Sequence, residues 1–218
     1  MAKILILNTY TIADLASSDS TAADSTVIKT IGVTKGGNYI GLDSFIKRGL
    51  DQILFIKEFF RQMDKFKVKR GLIEKNRAEN LKPTIKRLLD SKFFGAKNEV
   101  YRKLWFKITM IPHYGKSKLD RFIDNLQCEH AAKHIWVKNS WTKDKEFFMM
   151  YPVVTHDDIG DVWEMAVSNS KKPLNSFMDS AFRGRVMMDS SDELSDSSNV
   201  ARLKRTKFNF WTGTWVER

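Results

Sequence analysis

The chain has 218 residues, a length that fits one domain with arms, and its 37 Lys and Arg against 26 Asp and Glu give a net charge of +11. Its single cysteine, Cys128, excludes an intramolecular disulfide, and no apolar run approaches the roughly 18 residues of a membrane span. The sequence therefore predicts an intracellular protein without an integral membrane segment. Its charge is compatible with an anionic partner, such as nucleic acid, a membrane face or an acidic protein, and equally with a soluble basic protein that has no such partner.

The N-terminal region is predicted to be an arm. Residues 3–8 read as a short strand, and residues 12–26 are rich in Ser, Thr, Ala and Asp and read as a flexible tether. A strand on such a tether either folds back on its own domain or exchanges with a neighbouring copy. A turn is predicted at Gly36-Gly37.

The strongest predicted helix covers residues 43–64. Its apolar stripe is wide, because Phe55 and Phe59 extend it around the cylinder, and a stripe of this width buries on more than one side. We therefore expect Phe55 and Phe59 to be assembly anchors. A second helix is predicted from Pro83 to Phe94.

The rest of the chain alternates between predicted strands and helices. Strands are expected at 100–110, 134–141 and 146–154, and helices after Ser117, Thr155 and Pro173, where Ser117 begins a capping box with Asp120. The predicted fold class is α+β and predominantly α-helical, a single compact domain with a small sheet and extended, exchangeable arms.

Four regions are predicted along the chain. They are an N-terminal strand and flexible arm at 1–30, a globular domain at 31–188, an acidic low-complexity segment at 189–199 and a basic-aromatic tail at 200–218.

Two groups of basic residues are candidate contacts for an anion or a partner: Lys65, Lys67, Lys69 and Arg70, and then Arg202, Lys204, Arg205 and Lys207. Aromatic residues follow the second group, and Trp211 and Trp215 are predicted assembly anchors. Basic residues interleaved with aromatics suit single-stranded nucleic acid, whose bases stack on rings. The alternative is a strand that lies against the acidic 189–199 segment.

No catalytic or cofactor-binding motif is found, so the sequence predicts a protein that is not an enzyme and has no cofactor. His130 and His134 stand four residues apart beside Cys128, but no second cluster supplies further metal ligands. Asp157, Asp158 and Asp161 crowd carboxylates at a helix N-terminus, where the helix dipole alone accounts for them. Cys128 is left as a candidate for an intermolecular disulfide.

Short segments in the middle of the chain resemble the polyhedrin and granulin group, the matrix proteins of baculovirus occlusion bodies. The similar segments are Tyr39–Lys47, Asn98–Val100 leading to Thr109–Pro112, Ile135–Trp141 followed by Glu146-Phe147, and Ser176–Asp179. They occur in the order of that group, although most of its cysteines are missing here.

The resemblance implies a structural protein that assembles with itself into a dense lattice, encases virions and dissolves at alkaline pH. Its location would be the nucleus or cytoplasm of a host cell, with release in occlusion bodies. Lys, Tyr and Cys side chains change charge between about pH 8.5 and 10.5, which would dissolve contacts based on Lys–carboxylate pairs. The alternative is a basic viral matrix protein or nucleoprotein that associates with nucleic acid or membrane, a partner class that is not favoured.

Overall fold

The structure, a computed structural model, describes residues 5–16, 25–75, 80–112, 117–150 and 158–171, together with the backbone at 206–209 and 214–217. The chain divides into two compact units, Met1–Lys171 and Lys172–Arg218. In the described part of the chain, no helix has the length and apolar character needed to cross a membrane.

A six-stranded mixed sheet is the centre of the first unit. Its strands in chain order are β1 (Ile6–Asp14), β2 (Thr26–Thr34), β3 (Tyr39–Lys47), β4 (Arg70–Glu74), β5 (Ile108–Ile111) and β6 (Ile135–Trp136). The order across the sheet is β5-β4-β1-β2-β3-β6. The first three strands form an antiparallel meander, whereas β4 is parallel to β1, β5 to β4 and β6 to β3.

The helices surround this sheet. They are α1 (Gln52–Lys65), α2 (Leu81–Asp90), α3 (Asn98–Trp105), α4 (Lys118–Arg121), α5 (Cys128–Ala131), α6 (Thr142–Met150) and α7 (Asp158–Asn169), with a π-helical segment at Phe122–Gln127 between α4 and α5. Asp51 caps α1 by accepting hydrogen bonds from the backbone of Ile53 and Leu54.

Side chains alternate between two cores, one on each face of the sheet. Ala13 and Ile73 point into the core formed with α1, α2 and α3. Ile12 and Leu72, their direct neighbours along the chain, point into the core formed with the π-helical segment, α6 and α7. Every residue of β2 is buried, as expected for a central strand covered on both faces.

The α+β class is confirmed, but the sheet is larger than the predicted small sheet. β1 lies between β4 and β2, so the described residues of the predicted 1–30 arm form the middle of the sheet. The predicted turn is present between β2 and β3, where Gly37 has a φ of 80° that favours glycine. The backbone N–H of Gly37 donates to the carbonyl of Thr34.

Three local predictions are wrong because apolar spacing is ambiguous over short stretches. Residues 43–47 continue β3, and the helix begins only at Gln52, after Gly49 adopts a φ of 58°. Most of the predicted strand at 100–110 is helix α3, whose buried residues recur every three positions, and the stretch predicted as a strand at 146–154 is helical to Met150.

Several predictions fall outside the described residues. They are the helix cap at Thr155, the helix after Pro173 and the acidic segment at 189–199. In the second unit, β7 (Thr206–Asn209) and β8 (Thr214–Glu217) form an antiparallel hairpin within the predicted 200–218 tail. The limits of the four predicted regions stay predictions.

Phe55 and Phe59, the predicted assembly anchors of α1, are buried in the core instead. Their rings stack at 5.8 Å between centroids. Phe59 is 1% exposed, whereas Leu54 on the same helix is 47% exposed. Neither phenylalanine is on the surface, as an assembly contact requires.

We expect Phe59→Ala to lower the free energy of unfolding by about 3–5 kcal/mol, because it leaves a cavity in a close-packed core. Leu54→Ala is the matched control and should change stability by less than about 1 kcal/mol. Urea denaturation followed by circular dichroism measures both. Equal losses for the two variants would contradict the assignment of α1's buried face.

Candidate active site

Two carboxylates end neighbouring parallel strands. Asp14 is the last residue of β1 and Glu74 the last residue of β4. The strand register pairs Ile12 with Leu72 and Ala13 with Ile73, so Asp14 and Glu74 form the next step. Adjacent strands are about 4.8 Å apart, which places the backbones of Asp14 and Glu74 side by side.

Both carboxylates face the same side of the sheet. Side chains along a strand alternate between faces, so Asp14 follows Ile12 and Glu74 follows Leu72. Ile12 and Leu72 both belong to the core under α7. Val27, which pairs with Asp14 from the other neighbouring strand, belongs to the same core.

A third carboxylate, that of Asp158 in the first turn of α7, lies at the same end of β1. The end of the sheet where Asp14, Glu74 and Asp158 lie is called the carboxylate corner. Asp158 accepts a hydrogen bond of 3.0 Å from the backbone N–H of Ser25. Ser25 immediately precedes β2, at the end where β2 pairs with Asp14. Asp14 and Asp158 are only 3% and 7% exposed, so the corner gathers negative charge in a poorly hydrated place.

The packing of α7 against the sheet fixes Asp158. Val162, Trp163 and Ala166 are buried in the core between α7 and the strands. The indole N–H of Trp163 donates to Asp144 Oδ1 at 2.7 Å, which ties α7 to α6. The position of Asp158 therefore depends on contacts one and two turns further along α7.

Asp144 also holds a buried ion pair with Lys29 of β2. Lys29 Nζ lies 2.6 Å from Asp144 Oδ1, and the two side chains are 0% and 1% exposed. The ammonium also donates to Ser44 Oγ on β3 at 2.9 Å. Burial lowers the pKa of Lys29, while the charge of Asp144 and its hydrogen bond oppose that shift.

A second acidic row continues along α7 and is paired with cations. Asp161 forms ion pairs with Lys118 and with Arg121, the latter at 3.2 Å. Glu164 accepts a hydrogen bond of 2.8 Å from Asn125 and lies 3.7 Å from the Nε of Arg121. Because residues three apart share a helix face, Asp158 and Asp161 present both carboxylates on the same side of α7.

The donor set fits a hard divalent cation. Carboxylate oxygens are the ligands that Mg²⁺ and Mn²⁺ prefer. Among the described residues, no group of three Asp, Glu, His or Cys side chains is arranged to hold a metal by itself. Mg²⁺ usually binds through one or two carboxylates and keeps the remaining positions for water and substrate phosphate, which this corner allows.

The structure separates the two histidines that the sequence places four residues apart. The ring of His130 stacks on Phe148 at 4.7 Å, and burial lowers its pKa. His134 Nδ1 is 2.9 Å from Glu129 Oε2. Cys128 begins α5 with an exposed thiol, so its role in an intermolecular disulfide stays a prediction.

The first predicted basic group lies away from the carboxylates, and much of its charge is already compensated. Lys65 pairs with Asp43 at 2.9 Å, and Lys67 pairs with Asp64 at 2.7 Å. Lys69 Nζ donates to the side chain of Asn8, and Arg70 Nε donates to Thr109. Arg70 begins β4, whereas Glu74 ends it.

The second predicted basic group is only partly visible. Arg202, Lys204, Arg205 and Trp211 lie outside the described residues, and Lys207 and Trp215 are described only through the backbone of β7 and β8. Their roles as anion contacts and assembly anchors stay predictions.

Sequence reasoning missed Asp14 and Glu74. Each directly follows two apolar residues at the end of a strand, Ile12-Ala13 or Leu72-Ile73, and an acidic residue in that position is the signal that could have found them. Asp158 and Asp161 were identified, but their positions were explained by the helix dipole. Only the pairing of β1 with β4 shows that Asp14 and Glu74 are neighbours, and only the hydrogen bond from Ser25 shows that Asp158 lies at the same end of β1.

No protein-family model and no curated protein matches the chain. Among solved structures, the crystal structure of the yeast mitochondrial Holliday junction resolvase Ydc2 is similar to it, with a TM-score of 0.44 and 12% identity over 76% of this chain and 80% of that chain. A likeness of this degree identifies neither the activity nor the substrate of this chain.

The predicted resemblance to the polyhedrin and granulin group is wrong. No family model supports it, and a solved structure that is similar to the chain is a Holliday junction resolvase. The predictions of a lattice-forming function and of virions as partners are wrong as well. The prediction that nucleic acid is not a favoured partner is also wrong. The exclusion of an enzyme is also corrected, because Asp14, Glu74 and Asp158 are too far apart in sequence to appear as one motif.

We expect Lys29→Met to destabilise the fold by roughly 3–5 kcal/mol, because it leaves Asp144 as a buried charge without its cation. Adding Asp144→Asn should recover part of the loss, since an amide oxygen still accepts from Trp163. Thermal and urea unfolding of the single and double variants measure the coupling. Strictly additive losses would contradict a buried ion pair, and exposed Lys35→Met is the control.

Proposed function

We propose that the chain is a divalent-metal-dependent nuclease that hydrolyses phosphodiester bonds of nucleic acid. The observation that carries this proposal is the convergence of Asp14, Glu74 and Asp158 at one corner of the sheet. A structural role alone explains it poorly, because three acidic groups at one end of the sheet, two of them buried, repel one another and are costly to desolvate.

The chemistry follows from the donor set. A divalent cation held by these carboxylates would supply Lewis-acid activation of the phosphate and of the attacking water. Asp14 and Glu74 act as a rigid pair because strand hydrogen bonds fix their backbones. Asp158 completes the site from α7, whose burial keeps bulk water from one side.

Asp161 and Lys118 extend the site along α7. Their ion pair holds a cationic amine one helical turn from Asp158. In that place the Lys118 amine can contact a phosphate oxygen and offset the negative charge that develops during hydrolysis. Arg121 keeps Asp161 and Glu164 in place and so has a positioning role.

The overall charge supports a polyanionic substrate. The chain carries a net charge of +11 although its proposed site is acidic. A basic protein attracts the phosphate backbone over a long range, and carboxylates then require a metal to admit a phosphate among them. This combination favours nucleic acid over a small phosphate ester.

We expect Asp14→Asn, Glu74→Gln and Asp158→Asn each to reduce cleavage by about a hundredfold or more, since each removes a carboxylate that holds the cation directly or through water. Glu146→Gln is the matched control, because Glu146 is exposed on α6. Gel assays with labelled single strands, duplexes, flaps, four-way junctions and RNA–DNA hybrids, with Mg²⁺ or Mn²⁺, measure the rates.

Chelation by EDTA should abolish cleavage, and restored cation should recover it. Thermal melting checks that each variant is folded. Cleavage that persists in EDTA, or that all three substitutions leave unchanged, would contradict the proposal. Binding without any cleavage across the panel would identify a nucleic-acid-binding protein instead.

A further inference from the structure

The exposed face of α2 is basic. Leu81, Ile85, Leu88 and Leu89 form the buried face of this helix. Lys82, Lys86 and Arg87 occupy the exposed face. Lys75 is also exposed and directly follows Glu74, before the chain reaches α2.

These charges are not compensated by the described part of the chain. No ion pair joins Lys75, Lys82, Lys86 or Arg87 to a described carboxylate, whereas Lys65 and Lys67 each have one. The only acidic residue of α2 is Asp90, at its last position. The basic face therefore has charge available for an external anion.

The arrangement is unfavourable for the isolated helix. Lys82 lies in the first turn, where the helix dipole disfavours a cation, and no acidic residue is present there. Lys82 and Lys86 are like charges four residues apart, which also repel. Asn80, at the N-terminal boundary, makes no side-chain capping hydrogen bond. A bound polyanion would offset the unfavourable charges of Lys82 and Lys86 and could accept hydrogen bonds at the start of the helix.

The start of α2 lies at the same end of the sheet as the carboxylates, while α2 itself packs on the opposite face of the sheet. β4 ends at Glu74, and α2 begins seven residues later at Leu81. Thr84 Oγ1 donates to Gln52 Oε1 at 3.2 Å, which places the start of α2 against the start of α1. α1 ends just before β4 and so begins near the carboxyl end of that strand. Lys47, at the end of β3, is exposed at the same end of the sheet.

The spacing of the charges suits a duplex backbone. Lys82 and Lys86 are four residues apart, about 6 Å along the helix axis. Successive phosphates of one strand rise about 3.4 Å along a DNA duplex, so two steps span a similar length. Since α2 itself carries no aromatic residue, contacts to backbone phosphates are favoured over stacking of single-stranded bases.

We propose that α2 and Lys75 bind the phosphate backbone of duplex DNA and guide it to the carboxylate corner. The idea that α2 guides the duplex to the carboxylate corner rests on the proposed nuclease function. Binding of the duplex by α2 requires no catalysis. Lys75 contacts the phosphates nearest the site, and Lys82 and Lys86 contact those further along the duplex.

The test compares Lys82→Gln/Lys86→Gln with Lys35→Gln/Lys133→Gln. Glutamine keeps the helix propensity of α2. Lys35 and Lys133 are exposed and lie at the opposite end of the sheet, at the β2–β3 turn and before β6, so the control removes the same charge. Fluorescence anisotropy with a 30-base-pair duplex in EDTA, from 50 to 300 mM salt, measures binding without cleavage.

We expect the α2 variant to lose about 1.8 from the slope of log K against log salt, from two lost phosphate contacts. This corresponds to roughly a 10- to 60-fold weaker affinity near 100 mM salt. The control should keep at least half of the wild-type affinity and the full slope. Equal losses in both variants, or a wild-type slope in the α2 variant, would overturn the proposal.

The two proposals fail separately. Asp14→Asn should bind the duplex at least as well as wild type, because it removes a negative charge. If the α2 variant binds and cleaves like wild type while Asp14→Asn is inactive, the α2 proposal falls and the nuclease stands. If neither wild type nor any variant cleaves but duplex binding depends on α2, the nuclease proposal falls and the α2 proposal stands. Binding of anionic vesicles but not DNA through α2 would also overturn the proposal.

Discussion

The parallel pairing of β1 with β4 is the constraint on which the rest of the structure depends. Parallel strands place their carboxyl ends at the same edge, so one pairing brings Asp14 and Glu74 together across 60 residues of sequence. The β1–β2–β3 meander supplies the other side of β1 and places Ser25 near Asp158. Without the β1–β4 register, Glu74 would not lie beside Asp14.

The second requirement is that α7 stays fixed over the sheet. Apolar packing supplies most of the stabilisation between α7 and the sheet. Because apolar contacts are not directional, they alone would allow α7 to shift along its axis. The hydrogen bond from Trp163 to Asp144 and the ion pair from Asp144 to Lys29 are directional. Buried ion pairs add little net stability, and their better-supported use is to specify one arrangement. Here that arrangement is the position of Asp158.

The sequence predicts the parts of this protein that depend on local patterns. The helix start at Ser117, the turn at Gly36-Gly37 and the α+β class follow from capping, turn chemistry and composition. The sequence does not show that residues 6–14 form a central strand, because ILNTYTIAD is polar at alternate positions and is followed by a Ser- and Asp-rich stretch. The candidate site depends on that strand, so its members appear as isolated acidic residues. The predicted resemblance to occlusion proteins depended on short segments, and no family model supports it.

The central claim is that a divalent cation binds at the carboxylates of Asp14, Glu74 and Asp158, directly to one or two of them and otherwise through water. Electron paramagnetic resonance of Mn²⁺ titrated into the apo protein tests it most directly, because free Mn²⁺ gives a sharp spectrum that broadens on binding. We predict saturable binding to the wild type and to Glu146→Gln, with loss of at least tenfold in affinity for Asp14→Asn, Glu74→Gln and Asp158→Asn. Equal Mn²⁺ binding by the wild type and these three variants would contradict the account.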